Sequence, residues 1–206
     1  MSTLENNKVT LVGTIMTMFT FSHEYCGEKF YQATLVVNRK SGTDDNIPII
    51  VSERTLDVTE DYIGCRVVIE GHFNSYNLHK DGKYHLILQV FVEDIDNAYS
   101  DRDYNHIVLE GYLCKKPNYR KTPLGREITD MLLAVNRPYG KSDYIPCIAW
   151  GRNAGYMSQF EVGTKVRLEG RVQSRAYGKK VSETEYEDRV AYEVSVSKFK
   201  LMEAND

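Results

Sequence analysis

The 206-residue chain has one tryptophan, Trp150, and it lies among tyrosines and cations in the second half. Arg137 precedes Tyr139, Lys141 precedes Tyr144, and Arg152 follows Trp150. Arg171 and Arg175 lead to Tyr177, then Lys179 and Lys180. Flat rings offer faces on which any unpaired base stacks, at about 1–3 kcal/mol per base, while cations beside them take the phosphates. Each neutralised phosphate releases counterions, so such a surface grips a single strand without reading its sequence. A lone aromatic residue is more often a packing residue. Four of them flanked by basic residues, at strand ends and loop bases, favour a surface role for Tyr139, Tyr144, Trp150 and Tyr177.

Other chemistries lack their residues. There is no Gly-x-x-x-x-Gly-Lys-Ser/Thr loop, no zinc-deaminase signature and no Gly-x-Ser-x-Gly elbow. The histidines (His23, His72, His79, His85, His106) are scattered, and the cysteines (Cys26, Cys65, Cys114, Cys147) show no two-residue spacing. The acidic run Glu183–Asp188 reads as a solvated loop. The expectation is therefore no catalytic residue, no metal and no cofactor, with free thiols in a reducing compartment. No apolar run approaches the ~18 residues of a membrane helix. The first residues lack the basic and apolar regions of a secretion signal. A cytoplasmic protein without membrane contact is expected.

The elements that position these residues repeat. Asn7–Gly13 recurs as Asn105–Gly111, Leu35–Arg39 as Leu133–Arg137, and Asp45–Pro48 as Asp143–Pro146, all 98 residues on. Gly64–Gly71 recurs as Gly163–Gly170, shifted by 99. Two units follow, 1–97 and 105–202, joined by a short polar linker, 98–104. Apolar residues alternate at period two, as in Val9 and Leu11 or Val166 and Leu168, which marks half-buried strands. Residues 53–62 and 152–161 break that period and suit a short helix before Gly64 and Gly163. Three strands, a helix, then two strands is the order of an OB-fold. The chain thus reads as all-β: two tandem OB-folds, five-stranded Greek-key barrels, each with a short helix between strands 3 and 4. Ala176–Asp188 reads as the loop between strands four and five. An SH3-like barrel or a β-sandwich places that helix less well.

The units differ in charge. The whole chain is −3, but residues 1–97 carry 8 Lys+Arg against 14 Asp+Glu, while residues 105–206 carry 17 against 13. Phosphate favours the second unit. The first has Ser41, Asn46, Ser52 and Leu78 where the second has Tyr139, Tyr144, Trp150 and Tyr177. Its own rings, Phe19, Phe21, Tyr25, Phe30 and Tyr31, cluster in one expected long hairpin. In that acidic setting they read as packing or protein contact.

The second unit resembles the bacterial single-stranded DNA-binding protein family over almost its whole length. Asn105–Leu113 looks like the family's opening strand and Lys116–Gly125 like its first loop, where Arg120 and Lys121 lie. Leu133–Arg137, Ala149–Ala154 and Leu168–Tyr177 complete the pattern. The resemblance implies base stacking on Tyr139, Tyr144, Trp150 and Tyr177, three of them tyrosine where many members have tryptophan. It implies phosphate contacts from Arg120, Lys121, Arg137, Lys141, Arg152, Arg171, Arg175, Lys179 and Lys180. It further implies single-stranded DNA as partner, a homodimer presenting four OB-folds, and a role in replication, recombination or repair with the proteins of those processes. The first unit resembles the family more faintly. The chain's last residues lack the family's acidic, phenylalanine-tipped tail, so the acidic first unit is the expected place for partner contacts. Two alternatives stay open: an OB-fold adaptor of the replication-restart kind with weak nucleic-acid binding, and a binder of single-stranded RNA.

Overall fold

The computed structural model describes residues 6–80, 82–180 and 186–202. Each half contributes six strands. The first has β1 (Asn7–Ile15), β2 (Thr20–Tyr25), β3 (Glu28–Asn38), β4 (Asp44–Ser52), β5 (Arg66–Lys80) and β6 (Lys83–Asn97). The second has β7 (Tyr104–Leu113), β8 (Asn118–Lys121), β9 (Glu127–Asn136), β10 (Ser142–Trp150), β11 (Lys165–Lys180) and β12 (Tyr186–Leu201). Period-two alternation does what it predicts: Val9, Leu11 and Ile15 face one barrel interior, and Ile107, Leu109 and Leu113 face the other.

In each half the sheet closes on itself. β1 pairs β3 antiparallel while β4 pairs β6 in parallel, and β7–β9 and β10–β12 repeat this arrangement. Closure demands close backbone approach at the corners. A Cβ on Gly71 would stand 2.0 Å from the Phe91 carbonyl oxygen, and one on Gly170 2.1 Å from that of Ser195. Both glycines sit at a register shift, where a bulge bends the strand around the barrel.

Three details depart from the sequence reading. The barrels carry a sixth strand, the short edge strand β2 or β8, paired to β3 or β9. The first of these is one arm of the expected aromatic hairpin. Second, among the described residues an α-helix forms only in the second half, as α1 (Arg152–Met157), where the Thr129 hydroxyl donates to the Ala154 carbonyl at 2.8 Å. Residues 53–62 instead form successive turns. The Asp57 carboxylate accepts the Thr59 N–H at 3.1 Å, and the Asp61 carboxylate accepts the Ile63 N–H at 2.9 Å. Side chains that capture nearby backbone N–H groups compete with the helix. Third, the described part of Ala176–Asp188 is strand. Ala176–Lys180 extends β11 and pairs with the start of β12, from Val190 back to Tyr186, with the tip outside the described residues.

The halves are joined twice over. β1 and β7 pair antiparallel with Val9 opposite Ile107, its own repeat mate, so a local two-fold axis passes between them. About that axis each half grips the other with the same groups. Arg39 donates to Asp45 through Nε (2.8 Å) and to the Ser174 carbonyl (3.2 Å), and Asp45 accepts the Ser174 N–H at 2.8 Å. In the mirror contact Arg137 donates to Asp143 (2.6 Å) and to the Ser75 carbonyl (2.8 Å), and Asp143 accepts the Ser75 N–H. The Asn46 and Tyr144 N–H groups close the pattern on the Ser174 and Ser75 hydroxyls, at 2.9 and 2.7 Å. Asp45 and Asp143 are both buried. The segment between β6 and β7 is tied down as well, since Asp103 pairs with Arg66 at 2.7 Å.

Candidate nucleic-acid interface

A groove of about 1240 Å³ runs over the outward face of the second barrel. Trp150 ends β10 inside it. Alternation along β10 turns Asp143, Ile145, Cys147 and Ala149 inward and leaves Ile148 and Trp150 on the groove side. Trp150 is half-buried, and its indole N–H donates to the Ser195 hydroxyl of β12 at 3.2 Å, which fixes the ring without sinking it into the core.

Five arginines line this groove: Arg39, Arg120, Arg126, Arg171 and Arg175. Two acidic residues, Asp44 and Glu193, line it with them. Arg120 is held by Asp130 (2.5 Å), whose hydrogen bond raises the guanidinium pKa further. Arg175 lies 3.5 Å from Glu193 and 5.7 Å from the Tyr177 ring centroid. Arg171 differs. It has no ion-pair partner among the described residues; its nearest acceptor is the Gln173 side-chain oxygen at 3.4 Å. Partial burial, then repulsion from Arg39, pushes its pKa below the ordinary arginine value. The opposing attraction of Asp45 does not offset them.

The expected residues do not all meet here. Trp150, Arg120, Arg171 and Arg175 do, with Tyr177 exposed beside Arg175. Tyr144 is six residues up β10 from Trp150, about 20 Å away at ~3.3 Å per residue. Its backbone N–H donates to the Ser75 hydroxyl of the first barrel, and Lys141 ends the turn Pro138–Gly140 that precedes β10. Tyr139 sits in that same turn, Pro138–Gly140, its side chain outside the described residues. Arg137 is not free for phosphate: its guanidinium is committed to Asp143 and Ser75. Lys121 is exposed beside Glu127 at 3.9 Å. Arg152 is exposed at the start of α1, outside the groove lining. Lys179 and Lys180 lie on β11, and their side chains are outside the described residues.

Sequence reading missed Arg126 and the wall that the first half contributes, Arg39 to Asn46. A signal for that wall existed. Arg39–Asp45 and Arg137–Asp143 keep one spacing in both units, as a two-fold lock requires.

Comparisons with known proteins bear on the second half's sequence and on the fold. Residues 104–202 match the model of the single-strand binding protein family. A Listeria innocua single-stranded DNA-binding protein is 38% identical over 92 residues, covering 39% of this chain and 58% of that one. A Halalkalibacterium halodurans counterpart is 34% identical over 92 residues, covering 39% of this chain and 55% of that one. The chain thus spans little more than half the length of these relatives. The wild-type single-stranded DNA binding protein of Thermus aquaticus superposes with a TM-score of 0.78 at 20% identity, over 97% of this chain and 94% of that one. Its fold is shared from the first barrel to the second. The likeness in sequence to the single-strand binding protein family is carried by the second half, residues 104–202.

Proposed function

We propose that this chain binds single-stranded DNA without sequence preference and without catalysis, protecting it in the cytoplasm during replication, recombination or repair. The observation that carries this reading is Trp150 set in one groove with Arg171, a cation with no ion-pair partner among the described residues. Bases stack on Trp150 and Tyr177, and phosphates meet Arg171, Arg175, Arg120 and Arg126. Units 1–97 and 105–202, with 98–104 between them, act together, since the first supplies a wall of the groove. Tyr139, Tyr144 and Lys141 meet the strand where it leaves the second barrel for the first. A homodimer presenting four barrels is the proposed assembly; its mass in solution, with and without a ~35-nucleotide oligomer, tests it.

Titration with poly-dT, poly-U and duplex, followed by tryptophan fluorescence, tests the function. Stacking should quench Trp150 with poly-dT and not with duplex. Equal competition by duplex overturns the proposal, and preference for poly-U moves it to RNA. Trp150→Ala should weaken binding by about 1–3 kcal/mol. Arg171→Ala should lower the salt slope by ~0.7, the share of one phosphate on a single strand.

A further inference from the structure

The two ends of the paired barrels have opposite chemistry. β1 and β7 run antiparallel about the local two-fold axis with Val9 opposite Ile107. Ile15 and Leu113 therefore finish at opposite ends of the molecule, separated by about 40 Å of strand at ~3.3 Å per residue. One backbone frame closes both ends. The Gly64 N–H donates to the Ile15 carbonyl (2.8 Å) and the Ile15 N–H to that of Cys65 (3.0 Å). In the second half the Gly163 N–H donates to Leu113 (2.7 Å) and the Leu113 N–H to Thr164 (3.0 Å).

The side chains on these frames differ. At the first end Met16, Met18 and Ile63 are each half exposed or more. Phe19 packs edge-on against Tyr62 (5.9 Å, 87°), which ties the segment Met16–Phe19 to the turns 53–62 and their exposed Asp57, Glu60 and Asp61. Burial, then the charges of Asp57 and Glu60, raise the pKa of the Tyr62 phenol, as carboxylates close to this ring must. Arg54, the cation of these turns, is paired with Glu28 at 3.3 Å. At the second end the repeat puts exposed Lys115 and Lys116 at the positions of Thr17 and Met18. It puts Tyr156, Gln159 and Phe160 at those of Asp57, Glu60 and Asp61. Val162, the counterpart of Ile63, and Tyr156 are both more than half exposed. Glu161 is the one carboxylate between residues 152 and 164, and Lys165 is held by Glu110 at 2.9 Å.

We infer that the acidic end of one chain docks on the basic end of a second copy. Each end exposes apolar side chains beside charges of one sign, and the two signs are complementary. Two acidic ends repel, as do two basic ends, so the contact runs head to tail. Its two sides lie at opposite ends of the molecule. Every addition leaves one end free, and copies add in an open row. The contact goes beyond the proposed function and needs no DNA.

Carbodiimide, which joins a lysine to a carboxylate only where the two touch, tests this on the full chain without DNA. It should link Lys115 or Lys116 to Asp57, Glu60 or Asp61, as mass mapping would show. Within one chain these groups are separated by about 40 Å of strand, so each such link joins two chains. The sedimenting mass should rise with concentration without levelling off, and about 0.5 M salt, which screens the charges, should suppress the rise. K115E/K116E makes both ends acidic, and E60K/D61K makes the first end basic. Each variant alone should lose the links and the growth, and an equimolar mixture should regain both, which mixing cannot do for a folding defect. A mass that levels off at one finite value, absence of these links, or a mixture no larger than its parts overturns the inference. Quenching of Trp150 by poly-dT reads the second-barrel groove independently, so its loss with the links retained fails the proposed function and not this contact.

Discussion

Cys147 and Cys26 show how placement governs a residue's chemistry. Cys147 is buried in the second barrel, and burial pushes its thiol well above the ordinary range. Cys26 is exposed in the turn between β2 and β3. A thiolate, not a thiol, attacks alkylating reagents. Iodoacetamide at pH 8 should therefore label Cys26 first and spare Cys147 until the protein unfolds, as mass mapping would show. The same logic separates Arg137 from Arg171. Both were expected phosphate ligands, yet Arg137 is spent on Asp143 and Ser75, whereas Arg171 lines the groove with no ion-pair partner among the described residues. Arg137→Ala should lower the melting temperature and leave the salt slope of DNA binding unchanged; a slope reduced as in Arg171→Ala would return Arg137 to the DNA path.

Strands, turns and the segment between the halves carry the next layer. Period two announced the strands, and the repeated glycines mark where they bend. Gly170→Ala forces a methyl against the Ser195 carbonyl, an overpacking expected to cost about 1–3 kcal/mol in urea unfolding. The segment before β7 looked like a plain polar linker, but Asp103 makes it a fixed strap. Burial favours the neutral acid there. The Asn38 backbone N–H at 2.6 Å and the Arg66 guanidinium outweigh it and hold the carboxyl below the usual aspartate range. A depressed carboxylate pKa contributes stability that is present above the unfolded value near 3.9 and lost as pH falls through the folded value. Asp103→Asn should thus flatten the decline in stability between pH 5 and pH 2; an unchanged decline would remove Asp103 from that account. The helix expected at residues 53–62 failed because Asp57 and Asp61 bond to their own loop, a competition that pattern and spacing alone do not weigh.

Across the whole molecule, two barrels behave as one body because each Arg–Asp pair reaches into the other half. Breaking a buried ion pair from one side strands the remaining charge, at about 3–5 kcal/mol. Asp45→Ala and Asp143→Ala, removing two-fold mates, should therefore destabilise the chain by similar amounts in a single unfolding transition. Two separate transitions, each sensitive to one substitution, would show that the halves fold independently. Functional asymmetry sits on this symmetric frame. The acidic first half supplies Arg39 and a wall to the basic second half's groove.

Residue order alone determined the repeat, the all-β class, the barrel order and the company of rings and cations that Trp150 keeps in the chain, because each is written in local period and in spacing. What only the tertiary structure decided is which of those rings and cations share a groove. Tyr144 and Trp150 lie on one strand and one face, yet the strand is long enough to serve two barrels. Contacts across a two-fold axis join residues about 130 apart in the chain, such as Arg39 and Ser174, and no periodicity encodes a partner at that distance.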